Sequence, residues 1–314
     1  SIFQKISLFC NVKPDCVIEN RTLPNLYEAP LMLEKSGFSD VVCRELHIDA
    51  PKPMLADWEQ MVERIRNRSR EVHIGLVGKY VKLHDAYLSV AEAMNHAGYE
   101  QNTFVKIHWI DSENITQENV KGILKNLDGI IIPGGFGSRG IEGMIQSAKY
   151  ARENQIPYFG ICLGMQIAVI EFARNVLGLK DAHSGEFDEQ CTHKVIDFMP
   201  GQSEDIDKGG TLRLGSYPCS IKAGTKMEAC YGNRLIHERH RHRYEFNNQY
   251  REQLTNAGLV ISGTSPDDRF VEAIELEQHS FFVGVQFHPE FKSRPNQAHP
   301  LFKGFISAAL KTQK

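Results

Sequence analysis

Residues Pro157 to Gln166, PYFGICLGMQ, decide how the rest of the chain is read. Tyr158 to Cys162 is an apolar run of strand length, and Leu163 to Arg174 carries helical periodicity, so Cys162 falls where strand turns into helix. Gly160 and Gly164 flank it as glycines flank the serine of a nucleophile elbow, leaving space for a tight turn. A helix N-terminus directly after a cysteine favours its thiolate and presents N–H groups to an anion, which suits attack on a carbonyl. The same letters also describe a small buried cysteine without chemistry.

A second stretch, Gly284 to Phe291, GVQFHPEF, weighs against that plain alternative. The apolar run Phe281 to Phe287 predicts a strand that delivers His288 at its end, with Pro289 stopping the ladder and Glu290 two residues on. A sulfur nucleophile needs a base, and the base needs an orienting carboxylate; the three must meet in space rather than in sequence. Cys162, His288 and Glu290 supply that set.

GICLGMQ together with FHPEF resembles the triad (class I) glutamine amidotransferases. PGGFGSRG (Pro133 to Gly140), GGTLRLG (Gly209 to Gly215) and ERHRHRYE (Glu238 to Glu245) are more specific and resemble the glutaminase domain of the CTP synthase family. The resemblance runs from Ser1 almost to the C-terminus. It implies an α/β fold in which a mainly parallel sheet, flavodoxin-like, is flanked by helices and extended by antiparallel strands.

Composition agrees with a soluble globular class. The 314 residues are 41% apolar, enough for one large or two modest domains, and the formal charge of −3 gives no global attraction for nucleic acid or an anionic membrane. Apolar runs such as Gly129 to Pro133 are far too short to cross a bilayer, and no signal-like N-terminus is seen, so a cytoplasmic location is expected. Seven cysteines without a C-x-x-C pair argue against a disulfide framework and a zinc site, and no metal is expected in this chain. A first residue that is Ser, on an apparent core strand, suggests a piece of a longer protein.

Along the chain, Lys5 to Asn11 (KISLFCN) is expected to be a buried strand, followed by a helix from about Leu26 to Ser36 that Gly37 ends. Pro51, Pro53 and a charged helical stretch read as a linker over 49–70 with one exposed helix. The expected division is therefore 1–48, 49–70 and 71–314. From Val72 strand and helix alternate, one helix being capped by Asp85, and near-continuous apolar strands imply a parallel sheet covered on both faces. Active residues then belong at the strands' carboxyl ends. Beyond Ala182 shorter segments (Lys194 to Phe198, Thr211 to Ile221, Leu259 to Ser262, Phe270 to Leu276, Phe281 to Phe287) suggest the antiparallel extension.

The resemblance implies further roles, residue by residue. Segment 1–48 matches the tail of the synthetase (amidoligase) domain, where Lys5 would meet UTP or CTP and Arg21, Thr22 and Leu23 the ATP adenine; no G-x-x-x-x-G-K-[ST] string occurs, since GLVGKY (Gly75 to Tyr80) lacks both spacing and hydroxyl. The N–H groups of Gly135 and Leu163 would form an oxyanion hole, whose donors must already be aimed at the developing charge. Glutamine would be held by Gly135, Phe136, Leu163, Gln166, Glu186 for the α-ammonium and Arg243 for the α-carboxylate. Lys79, Tyr80, Phe136 and Arg213 would mediate activation by GTP, with Leu88 standing where bacterial members often carry lysine.

The implied reaction is glutamine hydrolysis, needing no cofactor. The full-length family enzyme, a homo-tetramer, uses ATP and Mg2+ to aminate UTP. Rival readings are a glutaminase for another synthase, disfavoured by KISLFCN and GGTLRLG; a cysteine hydrolase or chaperone of the related amidotransferase-like superfamily, which would not need Arg243 and Glu186; a filament-forming assembly module; and a nucleic-acid patch at Arg239 to Arg243, diluted by Glu238 and Glu245.

Overall fold

The structure, a computed structural model, describes residues 1–198 and 213–313. They form two compact units, Ser1–Arg68 and Ser69–Lys314. Gly209 to Leu212 of GGTLRLG lie outside the described residues. No helix among the described residues is long and apolar enough to cross a membrane.

The first unit is helical: α1 (Ile2–Cys10), α2 (Ala29–Lys35), α3 (Phe38–Glu45) and α4 (Ala56–Arg66). The strand expected at Lys5 to Asn11 is therefore a helix. Periodicity alone cannot tell a short apolar strand from a helix, and here Ser1 and Gln4 close a capping box while Asn11, at φ 51°, ends the turn. Lys5 is exposed on this helix, and Arg21 and Thr22 are exposed in irregular chain. The Trp58 indole N–H donates to the Tyr27 carbonyl at 2.7 Å, and Arg66 holds Glu28 through two contacts of 3.1 and 2.6 Å. The linker helix is not wholly exposed as expected, for α4 buries Met61, Val62 and Ile65 along one amphipathic stripe.

The second unit is built on a nine-stranded sheet. Its strands are β1 (Arg70–Gly78), β2 (Thr103–Asp111), β3 (Gly129–Ile132), β4 (Tyr158–Ile161), then β5 (His183–Ser184) and β6 (Lys194–Phe198) of a separate small sheet, β7 (Arg213–Ile221), β8 (Leu235–His242), β9 (Tyr244–Phe246) of the small sheet, β10 (Leu259–Thr264), β11 (Val271–Leu276) and β12 (Phe282–Val285). The large sheet runs β2-β1-β3-β4-β12-β11-β10-β7-β8. The first five of these strands are parallel and the rest antiparallel. The parallel half has the flavodoxin-like order, and an antiparallel half continues it from β12. Of the segments expected in that extension, 281–287 instead supplies the last parallel strand, paired with β4, and 194–198 lies in the small sheet.

Helices α5 (Leu88–Glu100), α6 (Val120–Leu124), α7 (Ile141–Glu153) and α8 (Leu163–Asn175) alternate with the parallel strands; α9 (Lys226–Tyr231) and α10 (Arg251–Asn256) interrupt the antiparallel part, and α11 (Pro300–Thr312) closes the chain. Burial on both sheet faces explains why β3, β4 and β12 are apolar throughout. On one face α7 and α8 pack Met144, Ile145, Met165 and Ile167; on the other α5 and α11 place Met94, Phe302 and Phe305 against Ile74 and Phe159. Asp85 does not cap α5, because a 3-10 turn over His84–Tyr87 precedes that helix and Tyr87 is its N-cap.

Candidate active site

Parallel strands aim their carboxyl ends at one rim, and that rim carries Lys79 after β1, Pro133 after β3, Cys162 after β4 and the 286–290 segment after β12. Cys162 has φ 51° and ψ −99°, a left-handed backbone that a residue with a side chain adopts only when its surroundings impose it. The surroundings are identifiable. A Cβ on Gly160 would lie 2.5 Å from the Gly164 carbonyl carbon, and one on Gly164 would lie 2.1 Å from the Ile132 carbonyl oxygen. Both glycines are thus required for α8 to start this close to β3 and β4. The Cys162 N–H donates to the Val285 carbonyl at 2.7 Å, and the Tyr158 hydroxyl donates to the Gly164 carbonyl at 2.7 Å, pinning the turn from two sides.

His288 and Glu290 meet the same rim. The imidazole Nδ1 lies 2.8 Å from Glu290 Oε1, and the His288 N–H donates to the Arg239 carbonyl of β8 at 2.7 Å. A Cβ on Gly134 would sit 2.8 Å from His288 Cε1 and 3.6 Å from Cys162 Cβ, so this glycine occupies the narrow space between imidazole and cysteine. Burial by itself would disfavour the imidazolium; the charge and hydrogen bonding of the Cys162 sulfur, then of Glu290, outweigh it and push His288 up to about 10. Nε2 itself has no hydrogen-bond partner among the described residues. Sulfur, imidazole and carboxylate line one cavity of about 210 Å³ together with Tyr80, Phe136 and Arg241.

The glycine turn after β3 is held in place by Lys79. Its buried ammonium donates to the Phe136 and Gly137 carbonyls and lies 5.4 Å over the Phe187 ring. Burial, more than the nearby charges, pushes Lys79 down to about 8. Gly135 packs beside Leu163, where a Cβ would be 3.3 Å from Leu163 Cδ2. Glu186 accepts from the Gly137 N–H at 3.1 Å, and burial raises its carboxyl while that N–H, Lys79 and Arg243 act in the opposite sense. Glu186 and Arg243 therefore sit within electrostatic reach of each other beside the turn. Buried Gln166 donates from Nε2 to the Tyr244 carbonyl at 3.0 Å and to Gln286 Oε1 at 3.2 Å.

Of the residues matched to GTP activation, Tyr80 and Phe136 expose aromatic surface at the cavity mouth. Arg213 does not join them: it is buried, paired with Glu272, and lies over the Tyr217 and Phe270 rings. Leu88 is exposed at the start of α5.

ERHRH, Glu238 to His242, belongs to strand β8, which the sequence reading missed; Arg243 lies in the bend that follows and Tyr244 opens β9. The residues of β8 alternate exposed and buried, so Glu238, His240 and His242 point inward and Arg239 and Arg241 outward. The period of two was the available signal, hidden because the inward residues are polar. The inward histidines bond in series, His240 Nδ1 to His242 Nε2 at 3.0 Å and His242 Nδ1 to the Tyr244 carbonyl at 3.1 Å. Burial, then the Arg213 charge, holds His242 neutral, down to about 3. Asp85, Arg241 and Gln286 were also missed; the first two line the cavity, and Gln286 donates to the Cys162 sulfur at 3.5 Å.

Known proteins resemble this arrangement along the full chain. The glutamine amidotransferase class-I family matches residues 82–308, and the family described as CTP synthase N-terminus matches residues 1–48. The CTP synthase of Carboxydothermus hydrogenoformans is 59% identical over 313 residues, 100% of this chain and 58% of that protein. That of Listeria monocytogenes is 56% identical over 309 residues, 98% of this chain and 58% of its own length. The chain thus spans a little over half the length of these curated relatives. Among solved structures, the glutaminase domain of Trypanosoma brucei CTPS with bound acivicin superposes with a TM-score of 0.72 at 41% identity, covering 77% of this chain and 95% of that one.

Proposed function

The chain belongs to the class-I glutamine amidotransferase family, and on that premise we propose that it is the glutamine-hydrolysing part of a CTP synthase, with Cys162 as nucleophile. The observation that carries the reading is the elbow at φ 51° set beside a histidine that a carboxylate holds at 2.8 Å.

The Cys162 thiolate attacks the carboxamide carbon of L-glutamine, forming the C–S bond while the C=O π electrons move onto oxygen. The N–H groups of Gly135 and Leu163 receive that oxyanion; Leu163 opens α8, where N–H groups lack intrahelical partners. His288, already protonated, gives its Nε2 proton to the leaving nitrogen as the C–N bond breaks, and ammonia departs. Water then attacks the glutamyl thioester and passes a proton to His288, whose Nδ1 Glu290 holds. Collapse releases glutamate and restores the thiolate–imidazolium pair. Arg243 and Glu186 supply the opposite charges that glutamine's α-carboxylate and α-ammonium require, Gln166 stands one turn into α8, and Phe136 covers the mouth.

By family membership the ammonia would go to UTP that ATP has activated at O4, giving CTP. The residues present here do not fit ATP and Mg2+: Lys5, Arg21 and Thr22 are exposed without a phosphate-binding loop, and the described residues hold no acidic, histidine or cysteine cluster suited to a metal. GTP, as activator, would meet Tyr80 and Phe136, whereas Lys79 is committed to the glycine turn. Seven unpaired cysteines support a reducing, cytoplasmic setting.

Ammonia release from glutamine by the wild-type chain and by Cys162→Ala tests the reading. A rate that disappears in the variant is expected; equal rates would remove the mechanism.

A further inference from the structure

The parallel register pairs Ile161 with Val285, so the next residues, Cys162 and Gln286, leave the sheet side by side. Gln286 is fully buried, and its N–H donates to the Glu272 carbonyl of β11 at 2.8 Å. Its side chain has two neighbours, Gln166 Nε2 at 3.2 Å from Oε1 and the Cys162 sulfur at 3.5 Å from Nε2. A fully buried carboxamide set beside a nucleophile calls for a reason beyond packing.

We propose that Gln286 is a further catalytic residue: its amide N–H donates to the Cys162 sulfur and stabilises the thiolate, in an orientation dictated by Gln166 and the Tyr244 carbonyl. The orientation follows from donor and acceptor chemistry alone. A backbone carbonyl cannot donate, so the group Gln166 turns towards Tyr244 is its NH₂, at 3.0 Å. The second hydrogen of that NH₂ meets Gln286, which must answer with its oxygen. Only the Gln286 NH₂ then remains to face the sulfur. The His242 Nδ1–H donates to the same Tyr244 carbonyl at 3.1 Å, fixing that acceptor from its other side. The relay Tyr244, Gln166, Gln286, Cys162 thus ends on a donor, and a donor to sulfur favours the anion over the neutral thiol. It approaches from β12, separately from the His288 imidazole, so the thiolate keeps one fixed partner when His288 gives up its proton.

The proposal rests on Cys162 being the nucleophile, yet it is tested without glutamine. Iodoacetamide alkylates thiolates, and mass spectrometry of the peptide bearing Cys162 separates it from the other six thiols. Gln286→Met keeps the volume and removes the donor. Cys162 alkylation in that variant is expected to be about tenfold slower along the rising limb of its pH profile, with the deficit closing at alkaline pH. A merely structural role would not produce a deficit that pH repairs. If Gln286→Met does not fold, Gln166→Leu decides: it never touches the sulfur but frees the Gln286 amide to turn, and a smaller displacement in the same direction is expected. A pH profile unchanged, or moved to lower pH, overturns the role of Gln286. Should that occur while ammonia release still depends on Cys162, the proposed function stands and only this inference falls; ammonia release indifferent to Cys162 removes the function itself.

Discussion

His288 and Glu290, two residues apart on the turn that follows β12, are joined by a 2.8 Å contact between Nδ1 and Oε1 that fixes which imidazole nitrogen faces the cysteine. Both side chains are buried, so this contact is little screened by water. Glu290→Gln keeps the shape and removes the charge. We expect kcat for glutamine hydrolysis to fall about a hundredfold or more with KM little changed, measured by steady-state ammonia release.

The pH dependence of stability follows from His288, pushed up to about 10 by the Cys162 sulfur and Glu290 against burial. An unfolded histidine titrates near about 6.5. The folded value is the higher one, so the stabilisation is complete below about 6.5 and is lost as pH rises through about 10. Urea unfolding at pH 7 and pH 10 should show wild type losing stability over that window. Cys162→Ala removes the largest charge that favours the imidazolium, and its loss over the same interval should be smaller.

Two glycines of the site should respond differently to alanine. At Gly164 the new Cβ would stand 2.1 Å from a backbone oxygen that cannot move aside. Gly164→Ala is expected to cost at least about 2 kcal/mol of stability by urea unfolding. At Gly134 the clash is with the imidazole edge at 2.8 Å. Gly134→Ala should fold but lose most glutaminase activity as His288 is displaced, which circular dichroism and ammonia release together would show.

Glutamine's charged end gives a third contrast. Arg243→Ala and Glu186→Gln each remove one charge of the pair beside the 135–137 turn. KM for glutamine should rise about tenfold or more in each, the worth of one charge-assisted hydrogen bond, while the pH profile of Cys162 alkylation without substrate stays as in wild type.

The last helix is a packing element. Phe305 is fully buried against Phe159 and Phe281, with ring centroids 5.9 Å away in both cases. Phe305→Ala should lower stability by about 3–5 kcal/mol in urea unfolding.

The parallel half of the fold was legible because β3, β4, β12 and β1 from Ile74 onward are buried on both faces and read as plain apolar runs between helices. Cys162, His288 and Glu290 were legible because each follows such a run. Strand β8 was not, since His240 and His242 take inward places where the eye expects leucine or valine. At Ile2–Cys10 an apolar run of strand length is a capped helix, an ambiguity that composition alone cannot resolve. Gln286 carried no signal beyond its place before Phe287 and His288; its partner is set by strand register, which a sequence does not print.

The central claim, that the Cys162 thiolate attacks glutamine at this rim, is tested most directly with 6-diazo-5-oxo-norleucine, a glutamine-like electrophile. Peptide mapping by mass spectrometry should find one covalent adduct, on Cys162, suppressed by excess L-glutamine and absent from Cys162→Ala. An adduct on any other cysteine, or labelling of Cys162 that glutamine does not compete with, would contradict the account.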